Sequence, residues 1–245
     1  MFLRLFSRQP LKIISPFSFL RFVGVGIDNL TMDEVLEKIS GFVVLPYSEF
    51  IVRAQKDEEF KNILNSADFC LCEGRGLQLA ARFLGKKLKE NIAGVDLIYK
   101  LNLESGVKNH RIFLLGGEKE VVKKAGVKLG KNVVGAEHGY QDLKKIIEKI
   151  NKIEPDILLV GLGSPKQEKW IYENLKKMPS VKIAIGVGGA FDFISGRMKR
   201  APKFFQKIGL EWLWRLILQP WRIKRIYNGV VKFSWLILKC KILKK

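Results

Sequence analysis

The chain has 245 residues, 47% of them hydrophobic, enough for one sizeable core with at most a small appendage. Forty-four Lys and Arg oppose 24 Asp and Glu, a formal net charge of +20, so an anionic partner is expected: nucleic acid, anionic lipid or a phosphorylated substrate. Three cysteines are too few for a disulfide framework, and two histidines, His110 and His138, argue against a histidine-built metal site.

Residues 1–22 carry Arg4, Arg8, Lys12 and Arg21, no acid, and the breakers Pro10 and Pro16. They read as a basic, apolar arm lying on a surface or disordered, without the apolar stretch and small-residue cleavage site of a signal peptide. No uninterrupted apolar run of about 20 residues occurs, so no transmembrane helix is expected. From Val23 short apolar runs alternate with helical patterns. VGVGI (23–27) reads as a strand. Thr31 and Glu34 form a capping box for the helix that follows. VVLP (43–46) is a second strand, and Glu49 to Asn65 a single helix. DFCLC (68–72) reads as a strand; Cys70 and Cys72 share one of its faces, with no second pair to complete a metal site, and read as buried thiols in a reducing compartment. GLQLAARFLG and GVDLIYKLNLESG are helical. RIFLLGG (111–117), VVGAEHGY, DILLVGLG (156–163) and VKIAIGVGG (181–189) hold four more strands, with helices between them.

Continuously apolar strands alternating with helices imply an α/β fold: a Rossmann-like, mostly parallel sheet covered by helices on both faces. Near Gly196 the composition shifts. From there to Lys245 fourteen Lys and Arg face one acid, Glu211, so this stretch holds +13 of the +20. The expected organisation is an arm (1–22), a core (23–195) and a basic, amphipathic helical appendage (196–245).

Three strands end in glycines, LLGG, LVGLGSP and IGVGG. Strand ends on the carboxyl side of a doubly wound sheet form the ligand crevice, and glycine lets a phosphate or a flat base approach the backbone. Tight turns without a ligand would use glycine too. The GxGxxG spacing of dinucleotide sites and the P-loop lysine pattern are absent. Lys166 and Gln167 follow a strand directly, either as the polar first turn of a helix or as contacts to phosphate and base or sugar. Asp192 sits between Phe191 and Phe193, and burial there would demand a partner: a ligand N–H or hydroxyl, or a backbone cap.

In order and spacing, LLGG, HGY, GLGSPKQE, GVGGAFDFISGRMKRAP and GLEWLWRL resemble the WecG/TagA/CpsF family, glycosyltransferase family 26, over about residues 24–227. The resemblance implies an inverting, metal-independent transferase that uses no cofactor. It would move a sugar such as N-acetylmannosamine from a UDP-sugar to an undecaprenyl-diphosphate-linked sugar in teichoic acid or other envelope polymer synthesis. It implies a donor site of Gly116, Gly117, Tyr140, Gly163, Lys166, Gln167, Gly188, Gly189 and Asp192, and Arg215, Arg222 and Arg225 over the donor diphosphate. No pair of aspartates has DxD spacing, so Lys, Arg and helix N-termini must balance the diphosphate. The implied general base is Glu73, where the family has aspartate; the extra methylene moves the charge by roughly 1.5 Å. Where the family shows T-P-N, this chain has Leu45-Pro46-Tyr47. These two departures leave a second reading open, a catalytically weak UDP-sugar-binding scaffold of an envelope-assembly complex.

In the tail, Trp212, Trp214, Trp221 and Trp235 alternate with Arg and Lys, as in a segment lying in a membrane interface. Arg215, Arg222 and Arg225 fall within about 80° on an ideal helix, with Pro220 expected to kink it. Trp212 and Trp214 would also suit an ordinary core. A nucleic-acid partner is disfavoured, because the basic residues alternate with large aliphatics and no binding motif is present. The expected location is the cytoplasmic face of the membrane, peripheral; self-association is left open.

Overall fold

The structure is a computed structural model that describes residues 19–202, 204–205 and 210–242. Most of the expected N-terminal arm, residues 1–18, lies outside the described residues, as does Gly209. The last four residues of that arm are ordered into a strand: Phe19–Phe22 (β1) pairs antiparallel with Val25–Asp28 (β2), and Phe22 is buried. The remaining strands are Gly41–Val44 (β3), Phe69–Cys70 (β4), Ile112–Gly116 (β5), Val133–Glu137 (β6), Ile157–Gly161 (β7) and Ile183–Gly186 (β8). They form one sheet in the order β4-β3-β8-β7-β5-β6, every pairing parallel. This is the expected α/β class: apolar strands buried on both faces need helices on both faces.

The helices are Met32–Lys38 (α1), Ser48–Ala54 (α2), Glu58–Ser66 (α3), Arg75–Phe83 (α4), Gly94–Lys108 (α5), Lys119–Leu129 (α6), Leu143–Ile153 (α7), Lys166–Asn174 (α8), Ala190–Ser195 (α9), Glu211–Leu218 (α10), Ile223–Tyr227 (α11) and Phe233–Ile242 (α12). Thr31 and Glu34 make the expected capping box at α1. One core cluster unites Phe50, Phe60, Leu77, Ile150 and Ile171 from α2, α3, α4, α7 and α8 on one face of the sheet. The other unites Val35, Leu97, Val122 and Ile194 from α1, α5, α6 and α9 on the opposite face. Burial of each such side chain contributes about 1.5–3 kcal/mol.

One local expectation fails. The single helix over 49–65 is two helices: the Asp57 side chain accepts the Phe60 N–H and starts α3 afresh, while the Asp57 N–H closes α2 on the Arg53 carbonyl. The tail helix is interrupted at Pro220, as expected, so Arg215 and Arg225 lie on different helices. α10 ends at Gln219, whose φ of −139° and ψ of 72° leave the helical region, and Pro220 opens a 3₁₀ turn. No helix among the described residues is long and apolar enough to cross a membrane.

Candidate active site

The carboxyl ends of β3, β4, β5, β7 and β8 open on one side of the sheet. There they surround a cleft of ≈ 390 Å³ that the C-terminal segment closes from above with Arg215, Arg222 and Arg225. Every residue expected in the site lines this cleft except Gly116. Gly116 lies one step behind it. Its φ is +124°, and a Cβ there would stand 2.4 Å from the Gly161 carbonyl carbon, so glycine is what lets β5 and β7 close up beneath the cleft.

Gln167 does not present its amide to the open space. It is 2% exposed; its Oε1 accepts the backbone N–H of Gly163 at 3.1 Å and of Gly188 at 3.0 Å, and its Nε2 donates to Glu168 at 2.7 Å. One buried side chain thus ties the turn after β7 to the turn after β8. Burial pushes the Glu168 carboxyl above its ordinary value, against the hydrogen bond from Gln167. Lys166, next to Gln167, is exposed.

Asp192 is not buried between its phenylalanines. In the first turn of α9 it stays half-buried at the cleft wall, with the Arg197 guanidinium 3.9 Å away. Phe191 takes the core position, as the helical period requires for the residue next to it. Tyr140 is 78% exposed, its N–H donating to His138 Nδ1 at 3.1 Å and its ring stacked on the imidazole, so its outer face is available to a flat ligand.

Glu73 stands at the cleft floor, two residues beyond the bridge that joins Leu71 to Asp28. Its N–H donates to Pro46 O, which couples the ends of β3 and β4. Gly74 follows with φ of +85°, turning the chain into α4. The Glu73 carboxylate reaches across the cleft floor: Oε1 accepts the N–H of Gly94, the first residue of α5, at 2.8 Å. It therefore caps α5 from another element and meets the positive end of that helix. A Cβ on Gly94 would lie 3.2 Å from that oxygen and 3.1 Å from Leu45 Cδ1, so glycine keeps the floor open. Burial pushes the Glu73 carboxyl up to about 7, opposed by the Gly94 N–H and by Arg215.

The three arginines are not equivalent. Arg225 is held: its Nε donates to Glu49 Oε2 at 3.0 Å and its Nη2 to the Tyr47 hydroxyl, which itself donates to Glu49 at 3.1 Å. Burial pushes the Tyr47 phenol above its ordinary value. Arg222 makes no ion pair among the described residues; burial, then repulsion by Arg215 and Arg225, lowers its pKa to about 10, with Tyr47 and Asp192 opposing. The Nε atoms of Arg215 and Arg222 are buried without a hydrogen-bond partner among the described residues. Arg215 also lies 5.2 Å over the Phe193 ring, and a Cβ on Gly189 would stand 3.1 Å from its Nη2. Arg215 and Arg222 thus leave hydrogen-bonding capacity unused in the cleft, while Arg225 ties the segment that carries them to Glu49 and Tyr47. Glu49 was not anticipated from the sequence, where it only marks the start of a helix; its partner is 176 residues away. Asp96 is a second such case, paired with Arg200 at 2.8 Å beside the floor.

A parallel sheet whose carboxyl end holds a desolvated carboxylate beside a cluster of guanidinium groups has the make-up of an α/β group-transfer enzyme. Comparison with known proteins makes the class particular. The Glycosyl transferase WecG/TagA/CpsF family matches residues 20–245, and the chain belongs to that family of glycosyltransferases. Among similar proteins is the N-acetylglucosaminyldiphosphoundecaprenol N-acetyl-beta-D-mannosaminyltransferase of Bacillus subtilis (strain 168), 35% identical over 219 residues, covering 87% of this chain and 85% of the relative. Proteins of the same name in Bacillus spizizenii, 34% identical over 204 residues (81% of this chain, 79% of the relative), and in Staphylococcus aureus (strain NCTC 8325), 31% identical over 235 residues (89% and 92%), are also similar.

Proposed function

We propose that the chain transfers N-acetylmannosamine, or a related hexose, from a UDP-sugar to the sugar of a polyprenyl-diphosphate-linked acceptor, in teichoic acid or another envelope polymer. The observation that carries this reading is one cleft holding a carboxylate raised toward neutrality together with two guanidinium groups whose Nε atoms have no hydrogen-bond partner among the described residues. The names of the relatives support the sugar and the lipid-linked acceptor.

The residues divide the chemistry as follows. Glu73 takes the proton of the acceptor hydroxyl; with its pKa raised to about 7, the ionised fraction is a stronger base than an ordinary carboxylate. That oxygen attacks the anomeric carbon, the bond from carbon to the diphosphate oxygen breaks on the opposite side, and UDP leaves with the electron pair. Configuration inverts because one displacement occurs. Charge growing on the diphosphate meets Arg215 and Arg222, in a site screened from bulk water where such contacts count most. Gln167 keeps the turns of Gly163 and Gly188 in place for the nucleotide. Tyr140 offers the uracil a stacking surface.

The chain would work as a peripheral protein on the cytoplasmic face of the membrane. In α12, Phe233 and Ile237 enter the core while Trp235, Leu238 and Ile242 remain exposed. A helix apolar on both sides needs a second apolar medium on its bare side.

The test is a donor screen that reads UDP release and product, with a synthetic lipid-diphosphate-GlcNAc acceptor. The expected result is transfer dependent on acceptor, fastest with UDP-N-acetylmannosamine. Binding of UDP-sugars with no transfer from any of them would replace the transferase by a donor-binding scaffold, the role suggested by an apolar Leu45 and an engaged Tyr47 beside the base.

A further inference from the structure

The outer face of α4 has no role in the cleft. This helix starts two residues after Glu73 and buries Leu77, Ala80 and Ala81. Its opposite stripe is bare: Leu79 is 59% exposed and Phe83 45% exposed. Four residues apart, they share one face. The surrounding stretch from Arg75 to Lys89 contains five basic residues, all exposed, and no acid.

The stripe is continuous with α12. The Lys241 ammonium sits over the Phe83 ring, 3.9 Å from its centroid. On α12, Trp235, Leu238 and Ile242 are spaced i, i+3 and i+7 and form one outward stripe, with Lys239 5.2 Å over Trp235. Two helices of different origin in the chain, one from the core and one from its end, thus present a joint surface of aromatic and aliphatic side chains edged by cations.

We propose that α4 lies on an anionic bilayer together with α12, so that the core itself touches lipid. This rests on the peripheral-membrane reading and deepens it. The chemistry of the patch selects the occupant. A second copy of the chain placed symmetrically on this face would bring Arg75, Arg82, Lys86 and Lys87 against the same cations, which opposes association. A bilayer accepts the aromatic and aliphatic groups below its headgroups, and anionic headgroups attract the lysines and arginines. Glu73 lies two residues before the first residue of α4, so the helix proposed to rest on lipid leads directly from the cleft floor.

The experiment is flotation of the full chain with vesicles of phosphatidylglycerol and phosphatidylethanolamine. It compares the parent with Leu79→Asp/Phe83→Asp, Phe83→Trp and Trp235→Asp/Leu238→Asp. The α4 double variant alters exposed positions only, so it should keep the parental melting temperature, and its partition coefficient should fall by about tenfold or more. Phe83→Trp should float at least as strongly as the parent. The proposal is overturned if the α4 double variant floats like the parent while the α12 variant does not; the membrane reading then survives with α12 alone. It is equally overturned if the α4 variant keeps flotation and loses self-association on a sizing column, which would assign the stripe to a second copy. A parent chain that ignores anionic vesicles removes the membrane reading itself.

Discussion

At Glu73 activity and stability pull in opposite directions. Burial raises its pKa from 4.5 to about 7. That difference corresponds to about 3 kcal/mol. The folded chain retains a proton there that the unfolded chain gives up near 4.5. Its contribution is therefore complete below that pH, declines as pH rises, and is lost once pH passes about 7. Above that point the ionised carboxylate opposes folding by up to about 3 kcal/mol. Glu73→Gln removes the titration and keeps an oxygen to accept the Gly94 N–H. In urea unfolding the variant should exceed the parent by up to about 3 kcal/mol at pH 8 and match it near pH 4. Its turnover should fall by about 10²–10⁴, the share of a general base. The parental kcat/KM should lose its acid limb near pH 7 in the variant. A stability gap that is the same at both pH values would refute the desolvation argument. Parental turnover in the variant would remove Glu73 as the base.

Two further substitutions separate holding from reacting. Gln167→Ala leaves the Gly163 and Gly188 N–H groups without their acceptor, so unfolding free energy should drop by about 2–4 kcal/mol and KM for the UDP-sugar should rise more than kcat falls. Unchanged stability would mean that water replaces the amide. Glu49→Gln takes the counter-charge from Arg225, whose side chain is 42% exposed, so about 1–2 kcal/mol is expected once solvent screening is allowed for. Tryptic cleavage within residues 222–225 should accelerate several-fold, as local opening becomes easier. Equal cleavage rates would show that Glu49 does not hold the segment down.

Much of this was legible in the sequence because its signals are local. Short uninterrupted apolar runs bounded by turn residues, such as IFLLG and ILLVG, read as strands buried on both faces, and they lie side by side within the sheet. Glycines after those runs placed the cleft. What the sequence does not show has a different cause: it depends on a partner distant in sequence or on a single rotation about a helix. The acceptor roles of Gln167 toward Gly163 and Gly188 exist only once two strands lie side by side. Asp192 looked buried because its neighbours are phenylalanines, yet in a helix its neighbour Phe191 turns inward while Asp192 faces the cleft. The break between α2 and α3 was hidden in a helical pattern that continues through Asp57, where one side-chain cap decides the outcome. The pairing of Arg225 with Glu49 and Tyr47 carried no sequence signal at all, since an acid at the start of a helix is ordinary.

The two faces of α12 also bear on how such a protein can be handled. Phe233 and Ile237 belong to the same apolar cluster as Phe50 and Leu77. Cutting the chain before Phe233 would strip two buried side chains from beneath α2 and leave an open hydrophobic wound, so a truncated preparation would trade one sticky surface for another. A well-behaved soluble version has to keep the helix and repaint it: charged residues at Trp235, Leu238 and Ile242, with the inward positions untouched.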